Sequence, residues 1–277
     1  MSFINNGFFI YKNCINKDLI KELKKSFLAD LKEITKIKTD NINSIDKLFL
    51  KAINAHHQFD VQSYLHHGLQ HRGLKERVLK ETKILNFCKK ILGSDLAYNE
   101  DGSLVANVKP TKDNLYQKNL HQEMWSGAGL NELRCWFPII TNKDAGGMFI
   151  IPGSHLWGFI ENRDRKPYNL PADLKFRKIN IRLKETDALF FHGLTLHETE
   201  PNFSKKIRFA CTVGIKNFSR DLEGHQHLQN WKIYNYSTMS IIQKRLGNPF
   251  LSQFRTANSP LSHKDLVKKK EIKKYFT

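Results

Sequence analysis

His121 and Glu123, in the stretch LHQEMWSGAG at residues 120–129, are separated by one residue just before a segment that predicts a β-strand. An imidazole and a carboxylate are two of the three ligands that a facial metal site needs. The spacing alone is weak evidence, because 12 histidines and 27 acidic residues in a chain of 277 produce such a pair about once by chance. A second pair, His263 and Asp265, lies in a lysine-rich tail. A third ligand must therefore come from elsewhere in the chain.

The stretch DALFFHGLTLHETEPNFSKKIRFACTVGI supplies two candidates for that third ligand, His192 and His197. Arg208 opens the next apolar strand eleven residues after His197. Two imidazoles and one carboxylate form the set that leaves metal positions open in non-haem Fe(II) oxygenases. A single histidine at a strand end is more often a hydrogen-bonded packing residue, but that interpretation leaves the fixed cation of Arg208 unexplained.

The first third of the chain is predicted to be helical, and the short strands that follow it must position the candidate ligands and Arg208. The stretch NKDLIKELKKSFLADLKEI predicts an amphipathic helix capped by Asn16, and LKERVLKETKILNFCKKIL predicts a second helix closed by Gly93. From about residue 105 the chain changes to short β-branched or aromatic segments bounded by turn residues: LRCWFPII, GGMFIIP, KINIRL, DALFFHG and RFACTVGI. This order predicts a mainly β fold with flanking helices, a double-stranded β-helix of the jelly-roll, cupin-like type. Such a fold brings the ends of non-adjacent strands together around a cavity.

Composition favours one domain in a reducing compartment. The chain has no internal repeat or Gly/Ser/Pro-rich linker, and its four cysteines are far apart, which predicts a cytoplasmic protein with reduced thiols. The start of the chain has no leader pattern and no apolar run reaches 18 residues, so we expect neither secretion nor a membrane span. The net charge of +18 is spread along the chain without a nucleic-acid-binding motif, which makes nucleic acid an unfavoured partner.

Five histidines between residues 54 and 72 form the densest histidine cluster. His67 and His71 are four residues apart on a possible helix, but no cysteine or glutamate completes a recognisable metal spacing. We interpret this cluster as polar surface histidines.

Several ordered motifs resemble the phytanoyl-CoA dioxygenase family of Fe(II)/2-oxoglutarate oxygenases, from about residue 3 to residue 218. The opening NNGFFIYKNCINKDLIKEL is similar to the family's first strand and helix, and LHQEMW stands where the family has H-Q-D. RCWFPIITNKDAGGMFIIPGSHLWG is similar to its strand, acidic turn, glycine and P-G-[ST]-H sequence. DALFFHGLTLHETEPNFSKKIRFACTV is similar to the segment with the distal histidine, a P-N turn and an arginine.

The resemblance implies that His121, Glu123 and His197 bind Fe(II), with dioxygen and 2-oxoglutarate as cosubstrates. It also implies that Arg208 receives the C5 carboxylate of 2-oxoglutarate, helped by Thr199. Arginine suits this task because its guanidinium can bind a carboxylate through two hydrogen bonds.

The sequence also suggests roles for three further residues. Trp136 is similar to a family tryptophan beside the cosubstrate, and a buried core aromatic is an equally good interpretation. His155, in the PGSH turn, is either a substrate contact or a structural turn cap. We interpret His192 as a packing or outer residue, because His197 stands at the family's distance before the arginine.

Glu123 departs from the aspartate that is usual in the family. Glutamate keeps the charge and the oxygen donor but lengthens the side chain by one methylene. A related oxygenase, clavaminate synthase, uses such a glutamate, so the change does not imply inactivity. A carboxylate at this position argues against halogenation, because the related halogenases have alanine or glycine there.

These features together predict a dioxygenase domain over residues 1–255, followed by a basic C-terminal tail at 256–277, that hydroxylates a C–H bond of a small anionic metabolite. The basic stretch at 161–178, with Arg163 and Arg165, is a candidate lid and substrate contact. Its charge favours a phosphonate, a nucleotide-linked sugar or an acyl thioester. The alternatives are a catalytically silent binding protein of the same fold and a nucleic-acid-directed oxygenase.

Overall fold

The computed structural model describes residues 3–109, 118–142, 144–164, 166–168, 170, 176–219 and 231–245. Its helices are α1 (Phe3–Asn6), α2 (Lys17–Thr35), α3 (Ile45–Ala55), α4 (Gln58–His71), α5 (Leu74–Leu79), α6 (Thr82–Leu92) and α7 (Thr238–Arg245). Its strands are β1 (Phe8–Tyr11), β2 (Leu96–Asn99), β3 (Ser103–Asn107), β4 (Glu132–Ile140), β5 (Met148–Ile150), β6 (Asn162–Arg163), β7 (Lys166–Pro167), β8 (Ile179–Ile181), β9 (Ala188–His192), β10 (His197–Thr199), β11 (Arg208–Asn217) and β12 (Trp231–Asn235).

Two antiparallel sheets form the jelly roll. The large sheet has the strand order β1-β9-β4-β11-β2-β12, with β3 also paired to β11, and the small sheet has the order β10-β5-β8. A short hairpin of β6 and β7 stands apart from both sheets. The predicted fold of antiparallel strands with flanking helices is confirmed.

The flanking helices pack on one face of the large sheet. Asn16 caps α2 by accepting a hydrogen bond from the Asp18 amide, as predicted, and the apolar stripe of this helix is buried. Phe27 of α2 and Phe49 of α3 both contact the ring of Phe209 on β11, with ring centroids 5.5 and 4.9 Å apart. The helices and this face of the sheet therefore share one apolar core.

The second predicted helix is wrong in one respect, because the structure divides it into α5 and α6. Glu81 is extended between them, with φ −54° and ψ 131°, and Gly93 ends α6 with φ 91°. Val78 and Ile84 are both fully buried. In an unbroken helix these two residues would point roughly 120° apart, since each residue turns the chain by about 100°. The break turns both side chains toward the same core.

Alternation along β4 and β11 separates this helical core from the space between the two sheets. On β4, Leu133, Cys135 and Phe137 face the helices, whereas Trp136 belongs to a second core formed by both sheets. The residues that share the face of Trp136, at positions 132 and 134, are both charged and both buried. The interior of the jelly roll is therefore polar along part of β4.

The histidine cluster at 54–72 is only partly at the surface, which corrects the sequence interpretation for His66. His66 is buried, and its Nε2 lies 2.9 Å from Nζ of the fully buried Lys75, which also donates to the Glu100 carbonyl. Burial and then the lysine charge lower the pKa of His66 to about 3. Among the described residues, these histidines form no three-ligand metal group.

The four cysteines, at 14, 88, 135 and 211, are buried free thiols. Burial raises the pKa of Cys14, Cys88 and Cys211 to about 12 and that of Cys135 well above its ordinary value, so they behave as small apolar side chains. Over the described ranges, no helix has the length and apolar character that a membrane span needs.

Candidate metal centre

His121 and His197 are 76 positions apart in sequence and lie side by side in the structure. Their backbones form a single antiparallel bridge, in which each amide donates to the other's carbonyl, at 2.9 and 3.1 Å. The bridge joins the segment before β4 to the first residue of β10. The two imidazole rings consequently lie beside each other, with centroids 4.2 Å apart and ring planes tilted by 47°.

Glu123 completes the cluster from a short 3-10 helix at Glu123–Ser126. Its amide donates to the carbonyl of Gly193, in the turn that follows β9. Oε1 of Glu123 lies 3.3 Å from Nε2 of His197 and 3.8 Å from Nε2 of His121. One ligand atom from each of the three side chains lies within 4.8 Å of the other two, so the group could hold a metal ion.

The rings are oriented for metal binding by backbone carbonyls. Nδ1 of His121 lies 2.6 Å from the Asn119 carbonyl, and Nδ1 of His197 lies 2.9 Å from the Thr195 carbonyl. A proton on each Nδ1 donates to that carbonyl, which leaves the lone pair of each Nε2 directed at the cluster. Within the described part of the chain, the buried Nε2 of His121 has no hydrogen-bond partner. A metal ion would satisfy this atom.

The electrostatics favour the protonation state that metal ligands require. Burial opposes ionisation of Glu123, but the two histidines, and then the charges of Lys118 and Arg134, hold its pKa well below its ordinary value. Burial and the neighbouring His121 lower the pKa of His197 to about 4. Near neutral pH the site thus offers one carboxylate and unprotonated imidazole, and this donor set fits Fe(II).

Gln122, between the two ligands of the H-x-E motif, fixes their backbone. It is fully buried, its amide nitrogen donates to the carbonyls of Gly158 and Leu194, and its oxygen accepts from the Ile160 amide at 2.9 Å. All three bonds go to segments distant in sequence. The loop that carries His121 and Glu123 is therefore anchored to two other segments, one at Gly158 and Ile160 and one at Leu194.

Arg208 lies at the start of β11 and is a buried cation with spare donor capacity. Its Nη1 donates to the carbonyls of Gly146 and Gly147, and its guanidinium lies over the ring of Trp136, 5.2 Å from the centroid. Nε has no hydrogen-bond partner among the residues described. Burial lowers the pKa of Arg208 to about 10, so it stays charged near neutral pH. A fixed, desolvated guanidinium of this kind is suited to bind a carboxylate.

Gly147 connects Arg208 to β10, the strand that begins at His197. Its carbonyl accepts from Arg208 and from the amide of Glu200, and its own amide donates to the Glu200 carboxylate. Thr199 is the last residue of β10 and, two positions after His197, shares its face of the strand. The structure thus places the metal cluster and the buried cation at the two ends of one short strand.

The comparison with protein families agrees with this site. The family described as "Phytanoyl-CoA dioxygenase (PhyH)" matches residues 3–210. The chain belongs to the phytanoyl-CoA dioxygenase family. Family membership and the His-Glu-His cluster make it an enzyme of the non-haem iron and 2-oxoglutarate type. No curated protein matches the chain in sequence.

Two solved structures of one protein, both at low identity, share the fold. The non-heme monooxygenase ThoJ in its apo form is similar with a TM-score of 0.58 and 16% identity, over 85% of this chain and 82% of that chain. A ThoJ-Ni complex matches over the same shares with a TM-score of 0.53 and 16% identity. The epimerase SnoN, solved with Fe3+, alpha ketoglutarate and nogalamycin RO, has a TM-score of 0.48 and 14% identity over 78% of this chain and 80% of that chain.

Two other histidines considered from the sequence lie outside the cluster in this member of the phytanoyl-CoA dioxygenase family. His155 donates from Nε2 to the Ile4 carbonyl at 2.8 Å, and a Cβ atom at Gly7 would lie 2.4 Å from its Nδ1. His155 therefore fastens the N-terminal segment. Nε2 of His192 donates to the Leu130 carbonyl at 3.0 Å, which is a packing contact of the kind predicted.

Arg163, one of the two candidate substrate arginines, has no hydrogen bond, ion pair or ring contact with the cluster within the described ranges. Arg163 is exposed on the β6–β7 hairpin, where its guanidinium stacks on Tyr168 at 4.2 Å from the ring centroid. Arg165 and part of the predicted lid, together with the tail at 256–277, lie outside the described residues.

Sequence reasoning missed Arg134, whose Nη2 lies 3.8 Å from Oε2 of Glu123. A signal was present in the stretch NELRCWFPII, where Glu132 and Arg134 alternate with the apolar Leu133 and Cys135. Two charges on the inner face of a fully buried strand need a reason, since unpaired buried charges are costly.

Proposed function

We propose that this protein is an Fe(II)/2-oxoglutarate-dependent dioxygenase that hydroxylates a C–H bond of a small anionic molecule. His121, Glu123 and His197 hold the iron. The observation that carries the proposal is the partnerless Nε2 of His121, which faces Glu123 while both histidine Nδ1 atoms are bound to backbone carbonyls. These contacts leave a metal ion as the natural partner of the three inward-facing atoms.

Arg208 binds the C5 carboxylate of 2-oxoglutarate, with Thr199 as its neighbour on β10 and Trp136 beneath the guanidinium. The carbonyls of Gly146 and Gly147 hold the arginine in place before any ligand arrives, so little side-chain entropy is lost on binding. Burial strengthens the attraction between this cation and a carboxylate, because little water screens it.

Bound iron supplies dioxygen activation, coupled to oxidation of 2-oxoglutarate to succinate and CO2. The chain contributes the fixed ligands and a dry environment around them. The ring of Phe191 lies 4.6 Å from that of His197, and Trp136 covers the side near Arg208. Such apolar walls exclude water from the reacting groups.

The proposed substrate class depends on the charge of the segment between β5 and β9. Between β5 and β9, the described side chains of Arg163, Lys166 and Arg177 are exposed and positively charged, those of Glu161 and Asp164 are exposed and negatively charged, and Lys178 is paired with Glu198 at 2.7 Å. This excess favours a phosphonate, a nucleotide-linked sugar or an acyl thioester. His155, through its contact with Ile4, would act on substrate only indirectly.

Anaerobic Fe(II) titration of the parent and of His121→Ala tests the metal site, and succinate formation from 2-oxoglutarate tests catalysis. We expect one equivalent of iron in the parent, much weaker binding in the variant, and slow succinate formation without any substrate. His67→Ala, an exposed histidine outside the cluster, is the matched control. An iron-loaded parent that forms no succinate, alone or with the three anionic substrate classes, would favour the catalytically silent binding protein instead.

A further inference from the structure

The second carboxylate oxygen of Glu123 lies near a buried arginine. Oε2 lies 3.8 Å from Nη2 of Arg134, and the same nitrogen lies 3.4 Å from Oε2 of Glu132. All three residues are at most 9% exposed. One guanidinium is therefore shared by two buried carboxylates, one of which belongs to the candidate metal centre.

Strand register explains why a guanidinium fits at this position. Arg134 lies opposite Phe191 on β9 and opposite Gly214 on β11. A Cβ atom at position 214 would lie 2.6 Å from Nη1 of Arg134. Gly214 thus leaves open the space that the arginine head occupies between the two sheets.

Glu132 holds the other side of the arginine. Its Oε1 accepts a hydrogen bond from the Gly129 amide at 2.9 Å, so this carboxylate is tied to the loop before β4. The same loop is tied to the metal-site loop, because the Ala128 amide donates to the Glu123 carbonyl. The Glu132 carboxylate cannot move far from Arg134 without breaking its hydrogen bond to the Gly129 amide.

We propose that Arg134 is a positioning residue that restrains Oε2 of Glu123, so that the long glutamate side chain presents Oε1 alone to the histidines. This inference rests on the iron-binding function proposed above. A glutamate has one more rotatable bond than an aspartate and loses more conformational freedom when it binds a metal. A guanidinium on the far oxygen would fix the carboxylate before the metal arrives, as outer partners of metal ligands commonly do.

The first test is anaerobic Fe(II) titration of Arg134→Gln without 2-oxoglutarate or substrate. We expect binding to weaken by about 10- to 100-fold, the usual cost of losing an outer partner. Arg134→Lys should recover part of the loss because it keeps the charge. The matched control is Arg77→Gln, which removes a surface arginine paired with Glu22, and it should bind iron like the parent.

Gly214→Ala serves as a second variant that changes no charge. Its methyl group would displace the flexible arginine head from its place beside Glu132 and Glu123, and we expect several-fold weaker iron binding in a protein that still folds. Thermal melting of the metal-free proteins checks folding. If Arg134→Gln does not fold, the titration of Gly214→Ala decides the matter.

A double-mutant cycle with Glu123→Asp separates positioning from a general structural role. The shorter aspartate withdraws from Arg134, so Arg134→Gln should cost much less iron affinity in that background than in the parent. Equal losses in both backgrounds, or unchanged binding in both Arg134→Gln and Gly214→Ala, would overturn the inference and leave the iron site intact. A parent that binds no iron would overturn the proposed function itself.

Discussion

Glu123 makes two kinds of contact at the scale of a single residue, one with the two histidines and one with Arg134. Its Oε1 faces both imidazoles and its Oε2 faces the arginine. The family's usual aspartate would reach less far from the same backbone position. We expect the extra methylene to be matched to this backbone, which the Gly193 carbonyl holds in place.

Removing or shortening this carboxylate should weaken iron binding in a graded way. We expect Glu123→Ala to lose more affinity than the roughly 10- to 100-fold cost of an outer partner, since it removes a donor and a charge. Glu123→Asp should be intermediate, because its oxygen falls short by about 1.5 Å, one C–C bond. Iron titration and succinate formation on the three proteins provide the measurement. An alanine variant that behaves like the parent would exclude Glu123 as a ligand.

Arg208→Lys should raise the 2-oxoglutarate concentration needed for half-maximal succinate formation, with little change in iron affinity. A lysine keeps the charge but loses the two-pronged fit to a carboxylate. We expect an increase of at least about tenfold, equivalent to about 1.4 kcal/mol. Arg77→Lys, at the surface pair with Glu22, is the control. An unchanged 2-oxoglutarate requirement would contradict the assignment of Arg208.

At the scale of elements, α4 and α5 bring a histidine and a lysine into the core together. Lys75 donates to Nε2 of His66 and to the Glu100 carbonyl, so the pair connects both helices to the turn between β2 and β3. A protonated His66 would place two positive charges 2.9 Å apart in a buried environment. The packing of these helices therefore depends on a neutral imidazole.

Acid should destabilise the protein through this pair. The pKa of His66 is lowered by burial to about 3 in the folded protein, against an ordinary value of 6.5. Between these values the unfolded chain binds more protons, so the free energy of unfolding falls as pH falls from about 6.5 toward about 3. Urea unfolding of His66→Gln at several pH values from 7 to about 4 should show a shallower fall than the parent.

His67→Gln provides the control for this measurement, because His67 is exposed on the same helix. It should retain the pH dependence of the parent. The assignment to His66 would be wrong if His66→Gln lost stability as steeply as the parent did over the same interval.

At the scale of the whole molecule, the described metal cluster lies between residues 121 and 197. We expect removal of residues 256–277, which include His263 and Asp265, to leave the iron stoichiometry unchanged. Iron content of the purified truncated protein, compared with that of the full chain, is the measurement. Loss of a full equivalent from a truncated protein that still folds would show that the tail supplies a ligand.

The net charge of +18 is also a property of the whole molecule, because the charged residues are distributed along the chain. We expect single-stranded or duplex nucleic acid not to stimulate succinate formation. Any binding to nucleic acid should weaken steeply with added salt, because salt makes the release of counterions less favourable. Stimulated turnover that persists at about 0.15 M salt would instead favour the nucleic-acid-directed oxygenase.

Local sequence patterns determined much of this protein. The stripe of α2 and its Asn16 cap depend on neighbouring residues, and so do the alternating strands, so they could be predicted from the chain alone. The ordered motifs around His121, His197 and Arg208 were enough for the family.

Tertiary structure decided what depends on long-range register. The antiparallel bridge sets how His197 meets His121, and only the alignment of β4 with β11 places Gly214 beside Arg134. The break between α5 and α6 and the burial of His66 also follow from packing against the sheet. The physical reason is the same throughout: periodicity fixes which face a side chain takes, whereas the partner across that face is fixed only when distant strands pair.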